Sequence, residues 1–141
     1  MLKVAFHDVA EVSNELLKFA VIVSAQDGKY IFSRHKKRET WEIPGGHREA
    51  GEDILETAKR ELWEETGAEC FDIRPVCVYS VENGGEPTYG MLFFADVKTL
   101  GALPADSEIG EIAFFENIPE STTYPLIQPH LFARAIGTKT L

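Results

Sequence analysis

Apolar and polar positions along this chain alternate between two periods, and the changes of period mark out its elements. Residues 19–24 (Phe-Ala-Val-Ile-Val-Ser) form a continuous β-branched run, the pattern of a strand buried on both faces. Asp27-Gly28 is a turn signal, and residues 29–33 alternate as the returning strand of a hairpin would. A polar loop, residues 34–39, leads to a short strand at Trp41-Glu42-Ile43 that is closed by Pro44-Gly45-Gly46. From Asp53 to Thr66 the apolar residues Ile54, Leu55, Ala58 and Leu62 recur at helical spacing, and Gly67 stands where a glycine ends a helix. Residues 73–81 and 89–97 read as strands around a flexible turn at 83–87. Residues 100–107 are a Gly/Pro-broken loop, residues 111–115 a short strand, and residues 125–136 a C-terminal helix begun after Thr122, Thr123 and Tyr124. Neither repeat nor linker appears, so residues 1–141 read as one domain. Strands interleaved with two helices predict an α/β fold, a mixed sheet covered on both faces.

The first helix carries the chemistry. Glu61, Glu64 and Glu65 lie at relative positions 0, 3 and 4, which gather on one face because each helical residue turns by roughly 100°. Three acids held so closely repel one another unless a cation sits among them. An all-oxygen cluster suits Mg²⁺ or Mn²⁺, which bind carboxylates together with waters and substrate phosphates. A solvated acidic face is the ordinary explanation of such a run. Here the run is flanked by Gly46 and Gly67 and preceded by Glu52 and Arg60 at fixed offsets. Seven fixed identities arise by chance at fewer than about one start position in 10⁸, and the ordinary explanation gives way.

The run resembles the signature of the Nudix (MutT-type) hydrolases, G-x5-E-x7-R-E-U-x-E-E-x-G-U with U aliphatic. Gly46, Glu52, Arg60, Glu61, Leu62, Glu64, Glu65 and Gly67 fill their places; only Ala68 departs, being smaller than the usual aliphatic residue. The resemblance implies an α/β/α sandwich with a mixed central sheet, the box lying on a loop-helix-loop. It implies that Glu64 and Glu65 ligate metal, that Glu61 is a ligand or the general base, and that Gly45 adds a backbone carbonyl. Glu52, Arg60, Gly46 and Gly67 are implied to be scaffold. A further acid often completes the metal set from the loop before the penultimate strand, where Glu108 and Glu111 both qualify and Glu108 sits farther into the loop. The activity implied is Mg²⁺-dependent cleavage of a diphosphate linkage, with Mn²⁺ as a substitute. The short chain favours a nucleoside triphosphate pyrophosphatase over an ADP-ribose or nucleotide-sugar pyrophosphatase, with a non-catalytic nucleotide-sensing module as the rival from another class.

Arg34, Lys36, Lys37 and Arg38 put four of the fourteen basic residues beside His35 in one loop, which either solubilises the surface or steers phosphate. Arg34, closing its strand, is the best single candidate for phosphate, and His47 is a second. Tyr30, Tyr79, Tyr89, Phe93 and Asn117 are candidates for reading a base, each more readily explained as core or surface than as pocket. Relatives that act on oxidised guanine nucleotides carry an amide before the last helix; Ser121-Thr122-Thr123-Tyr124 contains none.

Composition adds limits. The net charge of −9 argues against nucleic-acid polymers and membrane surfaces as partners, since both favour a basic face. It leaves a small nucleotide diphosphate whose charge is screened by metal. The N-terminal residues show no signal-peptide pattern, and the longest apolar stretch is too short to span a bilayer, so a cytoplasmic protein is expected. Cys70 and Cys77 lack zinc spacing and read as buried, reduced thiols. Oligomeric state is left open, homodimers being common among relatives of the fold.

Overall fold

The computed structural model describes residues 2–139. Its elements run β1 (Leu2–His7), β2 (Leu17–Gln26), β3 (Lys29–His35), β4 (Gly45–His47), α1 (Ile54–Thr66), β5 (Ala68–Asn83), β6 (Thr88–Leu100), β7 (Ile109–Phe115) and α2 (Gln128–Lys139). The strands make one mixed sheet in the order β1-β5-β6-β2-β3-β7, with β4 paired to β2 off that path. Its centre is the parallel pair β2 and β6, flanked by antiparallel neighbours.

Period-two alternation along the central strands sends side chains to two separate cores. Met91, Phe93, Ala95 and Val97 of β6 join Ile22, Ile31, Ala58 and Leu62 beneath α1. Leu92 and Phe94 point the other way, into Val23, Phe32, Leu131, Phe132 and Ala135 beneath α2. Phe93, Ile22 and Leu62 are each almost wholly buried, and each such burial contributes about 1.5–3 kcal/mol. This is the expected α/β sandwich. Tyr30, Tyr79 and Phe93, weighed above as base-reading groups, belong to these cores.

The hairpin between β2 and β3 turns through Asp27 (φ 51°) and Gly28 (φ 83°), the two positive angles of a type I′ turn, which matches strand twist. β2 and β3 stay paired only at Ala25↔Tyr30 and Gln26↔Lys29. β3 then leaves to pair with β7, while β4 takes its place against Phe19–Val21 of β2. The sheet splits at that point, and the Gly45-Gly46 backbone is carried into the split, next to α1.

Four sequence expectations change, the first being the burial of both thiols: Cys77 is buried but Cys70 is exposed. The strand expected at Trp41-Glu42-Ile43 forms only isolated bridges, Ser33↔Glu42 and Trp41↔Thr122. Trp41 bonds to Ser121 and Thr123, and Glu42 to Ser33, so no continuous ladder can form; the strand is Gly45–His47 instead. Leu2–His7 pairs in full with β5, a strand that the sequence reading passed over. The last helix starts at Gln128 rather than 125, because Ile127 and Gln128 still bond back to the Tyr124 carbonyl as a turn. Among the described residues no helix is long and apolar enough to cross a membrane.

Candidate active site

Helix α1 is defined at both ends by its own sequence. At its start the Asp53 N–H donates to the Glu56 carboxylate at 3.0 Å, half of a capping box. At its end Gly67 adopts φ 80° and donates to the Trp63 carbonyl. A side chain at Gly67 would be strained by that angle and would meet the Gly101 carbonyl oxygen at 2.5 Å. The register so fixed turns Thr57, Ala58, Leu62 and Thr66 into the core and leaves Arg60, Glu61, Glu64 and Glu65 at its margin.

Arg60 organises these acids. Its Nε donates to Glu52 Oε2 at 2.6 Å and its Nη2 to Glu52 Oε1 at 3.0 Å, a bidentate pair. Nη1 donates at 2.8 Å to both Glu61 Oε2 and Glu64 Oε1, and Nη2 also reaches the His47 carbonyl. The Glu52 carboxylate is further bonded by Thr57 Oγ1 at 2.8 Å and by the Glu49 N–H at 3.0 Å. The Arg60 bonds, followed by that backbone bond, hold the Glu52 carboxyl down at about 2. Glu52 and Arg60 thus pin the loop 46–52 against the helix.

Glu61 and Glu65 are in a different environment. Burial pushes the Glu61 carboxyl up, opposed by Arg60. Burial also pushes Glu65 up, to about 8, where the opposing bond is the Gly45 N–H at 3.0 Å. Gly46 crosses directly over Glu61: a Cβ added there would land on the Glu61 carboxylate. Glycine is required at that position by close approach, and the Gly45-Gly46 strand forms a backbone wall along the two half-buried acids.

Arg60, Glu61, Glu64, Glu65 and Glu108 line one cleft of about 520 Å³, together with Trp63, Pro104, Asp106, Ser107 and Ile109. The far wall is the loop between β6 and β7, fastened to α1 by Ser107 Oγ donating to the Glu64 carbonyl at 2.9 Å. Of the two candidate outer acids, Glu108 lines the cleft and lies 3.3 Å from His35 Nε2. Glu111 lies outside that lining and pairs with Arg34 at 2.9 Å. Arg34 also donates to the Arg38 carbonyl. His47 presents an exposed ring 4.6 Å from that of Phe19, and its carbonyl rather than its ring meets Arg60. Neither Arg34 nor His47 is among the residues lining the cleft.

Sequence reasoning missed the supports of the loop. Arg48 Nε donates to the Glu52 carbonyl at 2.7 Å and its Nη1 to the Asn14 carbonyl at 2.7 Å. Nothing in the local pattern singles out Arg48 or Ser107. Asp53 with Glu56 three residues later was a readable capping signal.

Among the described residues, no three His, Cys, Asp or Glu side chains stand together as a ready metal-binding group; Arg60 Nη1 bridges Glu61 and Glu64 instead. The donor chemistry nevertheless fits a hard divalent cation. Glu61, Glu64, Glu65, Glu108 and the Gly45 carbonyl offer oxygen alone, and the half-buried Glu65 carboxylate has no cationic partner among the described ion pairs.

A family model for the NUDIX domain matches residues 15–121. The mouse 8-oxo-dGDP phosphatase NUDT18 is 37% identical over 105 residues, which are 70% of this chain and 31% of the mouse protein. The phosphatase NudJ of Escherichia coli is 44% identical over 50 residues, 36% of this chain and 27% of the other. The matched stretch is less than a third of either relative's length. The crystal structure of the Bacillus subtilis pyrophosphohydrolase BsRppH superposes with a TM-score of 0.78 at 24% identity, covering 97% of this chain and 90% of that one, a likeness of fold. Nudix hydrolases generally use divalent metals such as Mg²⁺. With a domain model matched over residues 15–121 and the signature residues gathered about Arg60, this chain belongs to the Nudix family.

Proposed function

We propose that this chain is a Nudix hydrolase that takes Mg²⁺, with Mn²⁺ as a substitute, and cleaves a diphosphate linkage of a nucleotide. The preferred substrate is a nucleoside triphosphate, released as a nucleoside monophosphate and pyrophosphate. One observation carries this reading: Glu61, Glu64 and Glu65 share a single cleft, with the pinned Glu52–Arg60 loop on one side and the Gly45-Gly46 backbone over Glu61.

Glu61, Glu64 and Glu65, with the Gly45 carbonyl and Glu108, are the groups to hold metal. When bound, the metal supplies charge neutralisation at the phosphate oxygens and polarises the scissile linkage. The chain's own contributions are distinct. Buried carboxylates among like charges are held ionised only beside cations. Whichever of Glu61, Glu64 or Glu65 is left free of metal accepts the proton of the attacking water as it moves in line at phosphorus. Arg60 and Glu52 keep the acids in register. Arg34 and His47, outside the cleft lining, are the candidates for more distal phosphate, Arg34 after exchanging its bond to Glu111.

A second reading, an oxidised guanine nucleotide as substrate, is favoured by the name of the mouse relative; the missing amide at residues 121–124 weighs against it. ADP-ribose or nucleotide-sugar pyrophosphatase activity stays as the alternative, and a non-catalytic nucleotide-sensing module is disfavoured because none of the box acids is lost. The test is product release with Mg²⁺ or Mn²⁺ across ordinary and 8-oxo nucleoside di- and triphosphates, ADP-ribose and nucleotide sugars. Turnover of a nucleoside triphosphate above the other substrates supports the first reading. Preference for the 8-oxo forms selects the second, and no turnover on any substrate overturns both.

A further inference from the structure

Trp63 is out of keeping with its surroundings. It stands on the outer side of α1 between Leu62 and Glu64, 45% exposed, although indole is among the less favourable side chains for an exposed helical position. Six large hydrophobic residues are exposed in the described chain, and Trp63 alone among them lines the cleft that holds Glu61, Glu64 and Glu65. It is also the only aromatic residue in that lining, which Pro104 shares from the opposite loop. That loop is not free to drift away from the helix, because Ser107 Oγ ties it to the carbonyl of Glu64, the residue after Trp63.

The charges explain what can occupy this end of the cleft. Glu64, Asp106 and Glu108 share the lining with Trp63, so an unscreened phosphate is repelled there. A neutral planar ring is not, and indole offers it a stacking surface beside carboxylates that need no pairing with it. Trp63 is turned by roughly 100° from Glu64 around the helix, but both line the one cleft with Glu61 and Glu65, so a ring stacked on Trp63 lies in the same cleft as the acids.

We propose that Trp63 is a specificity-determining residue: its indole, in the lining it shares with Pro104, stacks the nucleobase of the substrate while the diphosphate lies over the acids. This rests on the reading that the chain hydrolyses nucleotides. Base stacking is worth about 1–3 kcal/mol by alanine substitution, or roughly 5- to 150-fold in affinity.

The test separates base binding from chemistry. For Trp63→Ala the loss on a nucleoside triphosphate should fall on KM, raised about tenfold or more, rather than on kcat. Inhibition by inorganic tripolyphosphate, which has no base, should keep its wild-type constant, and Trp63→Phe should recover most of the lost affinity. An unchanged KM in Trp63→Ala, or an equal weakening of nucleotide and tripolyphosphate, overturns the proposal. A second measurement stands apart from turnover. The chain has two tryptophans, so Trp41→Phe leaves Trp63 as the only indole. Its fluorescence, with Ca²⁺ as the divalent ion, should be quenched by a nucleoside triphosphate and not by tripolyphosphate. Failure of catalysis with quenching intact refutes the hydrolase reading alone, whereas absence of quenching refutes the role of Trp63.

Discussion

Arg60 grips Glu52 through two parallel bonds, Nε to Oε2 at 2.6 Å and Nη2 to Oε1 at 3.0 Å, while its remaining nitrogen bridges Glu61 and Glu64. A single guanidinium therefore sets both the position of the loop 46–52 and the spacing of two acids in the cleft. Lysine cannot reproduce that fork. Arg60→Lys is expected to lose about 1.5–3 kcal/mol of stability, the range for hydrogen bonds to charged groups, in chemical denaturation. Its turnover should fall at least tenfold, since the acids lose their register. Wild-type stability together with wild-type turnover would mean that the loop is held by other contacts.

Gly46 separates packing from chemistry. An alanine Cβ there coincides with the Glu61 carboxylate, which must rotate away while the hydrophobic layers remain untouched. Gly46→Ala should reduce turnover by an order of magnitude or more and keep a cooperative thermal transition. Full activity in this variant would show that the Glu61 carboxylate does not need its present position.

Acidity gives a third prediction, with its sign set by Glu65. Burial raises this carboxyl from 4.5 to about 8, so between those values the folded protein binds a proton that the unfolded chain has released. The contribution of Glu65 to stability without metal is then full below about pH 4.5 and declines as pH rises towards 8. Glu61 shifts in the same direction. Glu52, held down to about 2, is ionised in the folded protein throughout but half protonated in the unfolded chain at 4.5, so it opposes the decline at the acid end of this window and leaves the slope unchanged only above about pH 6. Melting temperatures measured in a chelator should fall over that range in the wild type and stay flatter in Glu65→Gln. Equal slopes in the two proteins would place the lost stability elsewhere.

How much of this was readable beforehand depended on how local each signal was. Helix α1 was legible because Ile54, Leu55, Ala58 and Leu62 repeat at its period and Gly67 ends it, all within 14 residues. The hairpin was legible through Asp27-Gly28. The segment 41–43 misled because its N–H groups donate to Ser121, Ser33 and the Gln128 side chain while the Trp41 carbonyl accepts from Thr123, partners that no local pattern reveals. The pairing of His35 with Glu108 spans 73 positions, and that of Arg34 with Glu111 spans 77; charge alone did not say which acid faces the cleft. Trp63 read as an unremarked spacer within the box, since only its exposure beside the acids distinguishes it.

The central claim is that the acids of α1 perform metal-dependent phosphoryl chemistry, and Glu64 offers the most direct test. Glu64→Gln keeps size and helical preference while removing the charge, and Glu64 is already partly exposed, so the fold should survive with a melting temperature near that of the wild type. Release of pyrophosphate from a nucleoside triphosphate, measured with Mg²⁺ and with chelator, should require the metal in the wild type and fall by orders of magnitude in Glu64→Gln. Metal-independent turnover, or a Glu64→Gln rate close to that of the wild type, would contradict the account.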